Sequence, residues 1–280
     1  MQGKTVVITG ATSGIGLIAA QELARKGARM VMVARDKVRG EQTLAILRTL
    51  APGINHTVHY ADLSRLSEMK RVVAEIAAAE PKIDVLINNA GALFNTRQVT
   101  EDGMELTFAL NHMSYFVMAL GLRGSLQAAM AARVINTASH AHKGKQLDFN
   151  DLQSANNFRG FNTYGQSKLA NILFTRELAR RWAATGITVN SLHPGFVSTR
   201  FGDESGGAFS LAIRLAKLFA ISPEKGAETI VYLASSPDVV GVTGQYFYLC
   251  RADTPTKQAQ DDESARKLWD QTAKLAGLAD

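Results

Sequence analysis

Short runs of apolar and β-branched residues alternate along the chain with longer stretches whose apolar positions recur every three or four residues. The runs at 6–9, 30–33, 56–60, 85–88, 133–138, 188–192 and 245–249 read as strands. Residues 15–26, 37–50, 66–79, about 101–130, 164 onward to 182 and 263–276 carry the helical period. Strands alternating with helices of this length require crossover connections, which are right-handed and put helices on both faces of a parallel sheet. The fold class expected is α/β, a doubly wound parallel sheet of about seven strands in a single domain over residues 1–280. No linker rich in Pro, Gly or Ser, no internal repeat and no low-complexity stretch divides it.

Composition narrows the setting. A hydrophobic fraction of 46% against 20% charged residues is that of an ordinary globular chain with ample core. The single Cys250 excludes an internal disulfide and fits a reducing, cytoplasmic compartment. The N-terminus runs directly into an apolar strand, and no apolar run approaches the roughly twenty residues that cross a bilayer, so no signal peptide and no membrane anchor are expected. The net charge of +6 is dispersed among acidic residues without a basic, aromatic-interleaved cluster, which argues against a nucleic-acid partner.

The candidate chemistry begins at the first strand-to-helix turn, Thr9-Gly10-Ala11-Thr12-Ser13-Gly14-Ile15-Gly16. Glycines there let backbone approach a pyrophosphate, and the helix N-terminus offers free N–H groups and a favourable dipole. A tight turn would account for one glycine but not three. After the second strand, Arg35 and Asp36 stand side by side. An acid in this region binds a ribose 2′-hydroxyl and an arginine accommodates a 2′-phosphate. Asp36 also suits the N-cap of the next helix, leaving Arg35 to favour NADP over NAD. Asp62 could bond an adenine amino group or cap the helix that follows. Asn88-Asn89-Ala90-Gly91 ends the fourth strand with small residues suited to a ligand pressed against backbone. In Tyr164-Gly-Gln-Ser-Lys168 a phenol and an ammonium share one helix face four residues apart. The cation is expected to lower the phenol pKa from its usual value of about 10, although the same spacing also describes a solvated helix edge.

With Asn111, Ser139 and Pro194-Gly195, these motifs resemble the short-chain dehydrogenase/reductase family, in its order and over nearly the whole chain. The segment YGQSKLANILFTRELARR from Tyr164, His193-Pro-Gly195 and Gly244-Gln-Tyr-Phe247 are similar to its retinol dehydrogenase-like branch. The resemblance implies a Rossmann fold and NADP(H)-dependent interconversion of an apolar ketone or aldehyde and its alcohol. Tyr164 is then the general acid and base, and Lys168 tunes the phenol and binds the nicotinamide ribose. Ser139 steadies the substrate oxygen, and Asn111 holds a water of the proton relay. Cofactor contacts are implied at Leu63, Asn89, Ala90, Gly91, Pro194, Gly195, Val197 and Thr199, besides the glycine turn, Arg35 and Asp62. Residues of about 200–220 are expected to form a lid, whose Phe209, Leu211, Leu215 and Leu218 point to an apolar substrate, and the 101–130 and Tyr164 helices to pair in a homodimer or homotetramer. Ser139 and Tyr164 are twenty-five residues apart, further than in many family members, and the insert is expected to wall the substrate pocket with Phe158 or Phe161. His140-Ala-His142 lacks the company of a metal site, and no metal is expected. Reduction of C=N or activated C=C bonds, and non-catalytic NADP binding, are the alternatives on this scaffold.

Overall fold

The computed structural model describes residues 1–195 and 221–278. The expected lid of about 200–220, with Phe196, Val197, Thr199 and its apolar residues, lies outside them. The strands are β1 Thr5–Thr9, β2 Arg29–Ala34, β3 Thr57–Tyr60, β4 Val85–Asn88, β5 Arg133–Thr137, β6 Thr188–Leu192, β7 Tyr246–Tyr248 and β8 Arg251–Asp253. They form one sheet in the order β3-β2-β1-β4-β5-β6-β7-β8, parallel except for the β7–β8 pair. β1 lies between β2 and β4, so strand order reverses there and a crevice opens beyond the carboxyl ends of β1 and β4.

Two apolar layers clothe the sheet. On one face α1 (Gly14–Arg25), α2 (Lys37–Leu50) and the helix Pro223–Ser235 pack over Val6, Ile8, Met30, Met32 and Ile87. On the other lie α3 (Leu66–Ala79) and a broken helical rod of α4 (Leu106–Phe108), a π turn Ala109–Met113, α5 (Ser114–Gly121) and α6 (Arg123–Gln127). α7 (Gly160–Arg181) and the terminal helix Asp262–Ala276 complete this layer. The terminal helix lays Trp269 against Phe116 of α5 and Phe174 of α7, with ring centroids 4.9 and 6.0 Å away. The chain's own last helix thus covers part of α5 and α7.

The elements depart from expectation in three places. The 101–130 stretch is not one helix: Gly103, at φ +77, precedes a start at Leu106, where the buried Glu105 carboxylate accepts from the Thr107 and Phe108 amides. The helix Pro223–Ser235 was not anticipated, although Ser222 as N-cap followed by Pro223 is a start signal. The eighth strand was missed because its hairpin turns through Leu249 and Cys250, at φ +47 and +59, where a glycine or asparagine would have announced the turn.

Candidate active site

The glycine turn is fixed by contacts that forbid side chains. A Cβ on Gly16 would lie 2.2 Å from the Gly10 carbonyl and 2.4 Å from Asn89 Nδ2; one on Gly10 would lie 2.8 Å from Ala90 Cα. Gly10 and Gly14 also have φ of +70 and +55. The turn is stitched to β4, where Thr9 Oγ1 accepts from the Asn89 and Ala90 amides, each at 3.0 Å. Asn89 Nδ2 donates to the carbonyls of Thr9 and Gly10 at 3.2 Å. Asn89 Nδ2 is therefore spent on the turn's backbone, while its Oδ1 accepts from Thr137 Oγ1 at 3.4 Å. Ser13, the N-cap of α1, makes no capping bond through its side chain, and α1 has no acid in its first turn. The positive end of the helix dipole is unopposed beside Thr12, Ser13 and Ile15, an arrangement suited to phosphate.

At the end of β2, Asp36 Oδ1 accepts from the Arg39 amide at 2.8 Å, the capping role open to it from sequence, while Arg35 is exposed. After β3, Asp62 Oδ1 accepts from the Ser64 amide and hydroxyl at 3.0 and 2.8 Å, and Leu63 is buried in the core. Arg35 and Asp62 flank the crevice on the far side from Tyr164, at the carboxyl ends of β2 and β3.

Across the sheet, β5 and α7 assemble the reactive groups. α7 begins at Gly160, one turn before the expected start, so Tyr164 and Lys168 project from its second and third turns. Gly160 allows this start: a Cβ there would meet the Phe94 carbonyl at 2.4 Å. Ser139, just past β5, stands beside Tyr164, where its hydroxyl favours the phenolate form, and its Oγ accepts from the Ala141 amide at 3.2 Å. Lys168 Nζ lies 5.7 Å from the Tyr164 ring centroid, 5.6 Å from that of Tyr115, and donates to the Thr137 carbonyl at 3.0 Å. Gly91 is closely approached: a Cβ there would stand 3.0 Å from Asn111 Oδ1 and 3.2 Å from Lys168 Nζ, so these side chains would have to give way.

The electrostatics correct the sequence reading. Burial pushes the Tyr164 phenol up to about 12, with the Ser139 hydrogen bond acting against it, and burial pulls Lys168 down to about 7. Desolvation outweighs the neighbouring lysine, which at neutral pH is itself only partly charged. The lowered phenol expected of the pair is absent from this protein alone.

Asn111 sits in the π turn, where the altered wind frees backbone carbonyls. Its side chain is fully used: Oδ1 accepts from the Ala92 amide at 2.8 Å, and Nδ2 donates to the Ala92 carbonyl at 2.9 Å and to Ser167 Oγ at 3.0 Å. Its main-chain carbonyl accepts from Asn171 Nδ2 at 2.8 Å. Beyond β6, His193 Nδ1 accepts from the Gly195 amide at 3.1 Å, and its ring stacks on Tyr248 with centroids 4.0 Å apart. This holds the Pro194-Gly195 turn, in which Gly195 has φ +87.

Sequence reasoning missed Asn171, Tyr115, the Thr137 carbonyl and His193. Asn171 lies three residues past Lys168, on the same helical face, so a signal existed; a backbone carbonyl leaves none. The insert between Ser139 and Tyr164 sends Leu147, Phe149 and Leu152 onto the outer side of α7 and the terminal helix, while Phe161 is half exposed under Lys145. Among the described residues no group of three His, Cys, Asp or Glu is placed to hold a metal, and no helix is long and apolar enough to cross a membrane.

A doubly wound sheet with a glycine-lined crevice, and a Ser-Tyr-Lys cluster at its mouth, defines a nicotinamide-dependent oxidoreductase scaffold. The sequence profile of the short chain dehydrogenase family matches residues 4–207, and the chain belongs to that family. Within it the chain is retinol dehydrogenase-like. It is 40% identical to human retinol dehydrogenase 14, over 99% of this chain and 88% of that protein, and 39% identical to human retinol dehydrogenase 13, over 99% and 85%. Among solved structures, a protein from Mycobacterium paratuberculosis superposes with a TM-score of 0.78 at 31% identity, covering 99% of this chain and 94% of that one. A short chain dehydrogenase from Burkholderia cenocepacia in complex with NADP superposes with a TM-score of 0.69 at 25% identity, covering 88% and 96%.

Proposed function

We propose that this protein is an NADP(H)-dependent oxidoreductase that interconverts an apolar ketone or aldehyde and its alcohol, with Tyr164 as general acid and base. The observation that carries the reading is the cluster in which Tyr164 and Lys168 are buried, the Ser139 hydroxyl acts on the Tyr164 phenol, and Lys168 Nζ lies 5.7 Å from the phenol ring. The nicotinamide supplies the hydride when bound. Gly10, Thr12, Ser13, Gly14, Ile15 and Gly16 would hold its pyrophosphate, and Arg35 the 2′-phosphate. Asp62 and Leu63 would hold the adenine; Asn89, Ala90, Gly91, Lys168, Pro194 and Gly195 the nicotinamide end. NADP is supported by Asp36 being engaged as a cap while Arg35 is exposed, and by the similar structure solved with NADP. The apolar substrate is supported by the retinol dehydrogenase names of the relatives. A cytoplasmic setting belongs to the same reading and rests on the free Cys250.

In this mechanism Tyr164 gives its proton to the carbonyl oxygen while the Ser139 hydroxyl donates a hydrogen bond to the same oxygen and steadies its developing charge. A phenol at about 12 carries its proton at neutral pH, the form that can protonate a carbonyl; alcohol oxidation has Tyr164 accept the proton and is favoured as pH rises. Asn111 contributes by fixing the Gly91-Ala92 loop against α7 and by offering its carbonyl beside Asn171. The test is a screen of ketones, aldehydes, imines and enones of graded size with NADPH and NADH, run on the wild type and on Tyr164→Phe. The expected outcome is carbonyl reduction with NADPH by the wild type, and at least about a hundred-fold loss in the variant with NADPH binding intact. Turnover retained without the phenol would sink this mechanism.

A further inference from the structure

We infer that His142 is a positioning residue that fixes the catalytic Ser139 by clamping its main-chain carbonyl, and so ties the reactive loop after β5 to the segment that follows β8. The inference rests on the proposed carbonyl chemistry for its kinetic consequence, but not for its geometry.

Ser139 is held at both of its oxygens. Its hydroxyl faces Tyr164 and the Ala141 amide, while its carbonyl accepts from His142 twice, from the backbone amide at 3.2 Å and from ring Nδ1 at 2.7 Å. A carbonyl oxygen can only accept, so Nδ1 carries the hydrogen, and the tautomer follows from the partner. Nε2 is then the acceptor, and the Thr256 amide donates to it at 3.4 Å. The His142 ring is fully buried and meets Tyr246 of β7 edge-on, with centroids 5.3 Å apart. Burial pulls its pKa down, which keeps it in the neutral form that this two-sided bonding requires.

The bracing has a purpose that packing alone would not need. Ser139 leaves β5 in extended conformation, and a single 3₁₀ turn, His140–His142, separates it from an insert with little regular structure. Without the ring bond, the serine carbonyl would keep only the longer backbone contact. The hydroxyl would then lose its fixed direction toward Tyr164. A misdirected donor weakens stabilisation of the reacting oxygen and leaves the cofactor crevice, which lies across β4 and β1, untouched.

The test compares three variants of the full chain for kcat, KM, NADPH affinity and melting temperature. His142→Asn places an amide donor where Nδ1 stood; His142→Gln places one nearer the Nε2 position; His142→Phe fills the volume with neither. The expected result is kcat near wild type for Asn and a fall of about ten-fold for Gln and Phe, the scale of one lost hydrogen bond, with NADPH affinity unchanged. Equal kcat in Phe and wild type would overturn the inference, as would a loss in Asn as large as that in Phe. A wild type that turns over no carbonyl defeats the proposed function instead. The positioning inference then stands or falls on the imidazole 15N shifts of His142: the Nδ1–H tautomer supports it, and the Nε2–H tautomer overturns it.

Discussion

In the proposed function, the choice between two cofactors rests on Arg35 and its neighbour. Asp36 is engaged with the Arg39 amide as the cap of α2, which leaves Arg35 as the exposed cation at the end of β2. Arg35→Asp is expected to weaken NADPH by at least about ten-fold and shift preference toward NADH, since it removes a charge-assisted bond and adds a repulsion. Binding titrations with both cofactors measure it, and an unchanged ratio would count against Arg35 as the phosphate clamp. The same scale shows where residue types mislead. Tyr164 and Lys168 were legible as a pair four apart, but their protonation was not, because desolvation depends on the walls that other elements build around them.

At the scale of elements, the break in the rod before α5 does what an uninterrupted helix could not. The π turn carries Asn111 toward Gly91 and His112 into the core behind Lys168. His112 Nδ1 faces Asn171 Oδ1 at 3.2 Å and its Nε2 faces Thr272 Oγ1 of the terminal helix at 3.1 Å. Asn171 Nδ2 is committed to the Asn111 carbonyl, so His112 donates through Nδ1 and accepts through Nε2, and it is neutral. Burial pulls its pKa to about 4 from the ordinary 6.5. The unfolded chain therefore takes up a proton below 6.5 that the folded chain refuses until about 4, and stability falls across that window. At about 1.4 kcal/mol per unit the loss from this histidine is ~3 kcal/mol. His193, also lowered to about 4 by burial, acts in the same direction. Urea denaturation between pH 7 and 4.5 measures the slope, which His112→Gln is expected to flatten; an unaltered slope would show that His112 is charged in the fold. None of this was legible in the apolar periodicity of 101–130, since a π turn shifts the helical phase by one residue and a stretch buried on almost every side has no polar face to mark the shift.

On the scale of the whole molecule, the last helix packs over α5 and α7 and closes that side of the core. Trp269 sits among Phe116, Phe174 and the Arg181 guanidinium, which stands 4.3 Å from its ring. Trp269→Ala is expected to cost about 3–5 kcal/mol, the range for deleting a buried aromatic. Chemical denaturation gives the figure, and a loss under about 1 kcal/mol would mean that the helix is not docked there. Because Thr272 of the same helix reaches His112, undocking is also expected to reach the Asn171 amide beside Lys168. A parallel sheet with helices on both faces followed from the alternating periods and was legible, whereas the order of its strands came only from the tertiary structure. The terminal helix was legible as a helix, but its docking site was not.

By itself the sequence determined the local chemistry: which turns need glycine, which residues share a helix face, where strands and helices alternate, and so the family. Those follow from backbone sterics and short spacings that every chain of this pattern obeys. Tertiary structure alone decided the rest. It set the protonation of Tyr164 and Lys168, spent Asn89 and Asn111 on neighbouring backbone, aimed His142 at the Ser139 carbonyl and laid Trp269 over α5 and α7. Each depends on groups brought together from distant parts of the chain, and desolvation and hydrogen-bond partnership exist only once those groups meet.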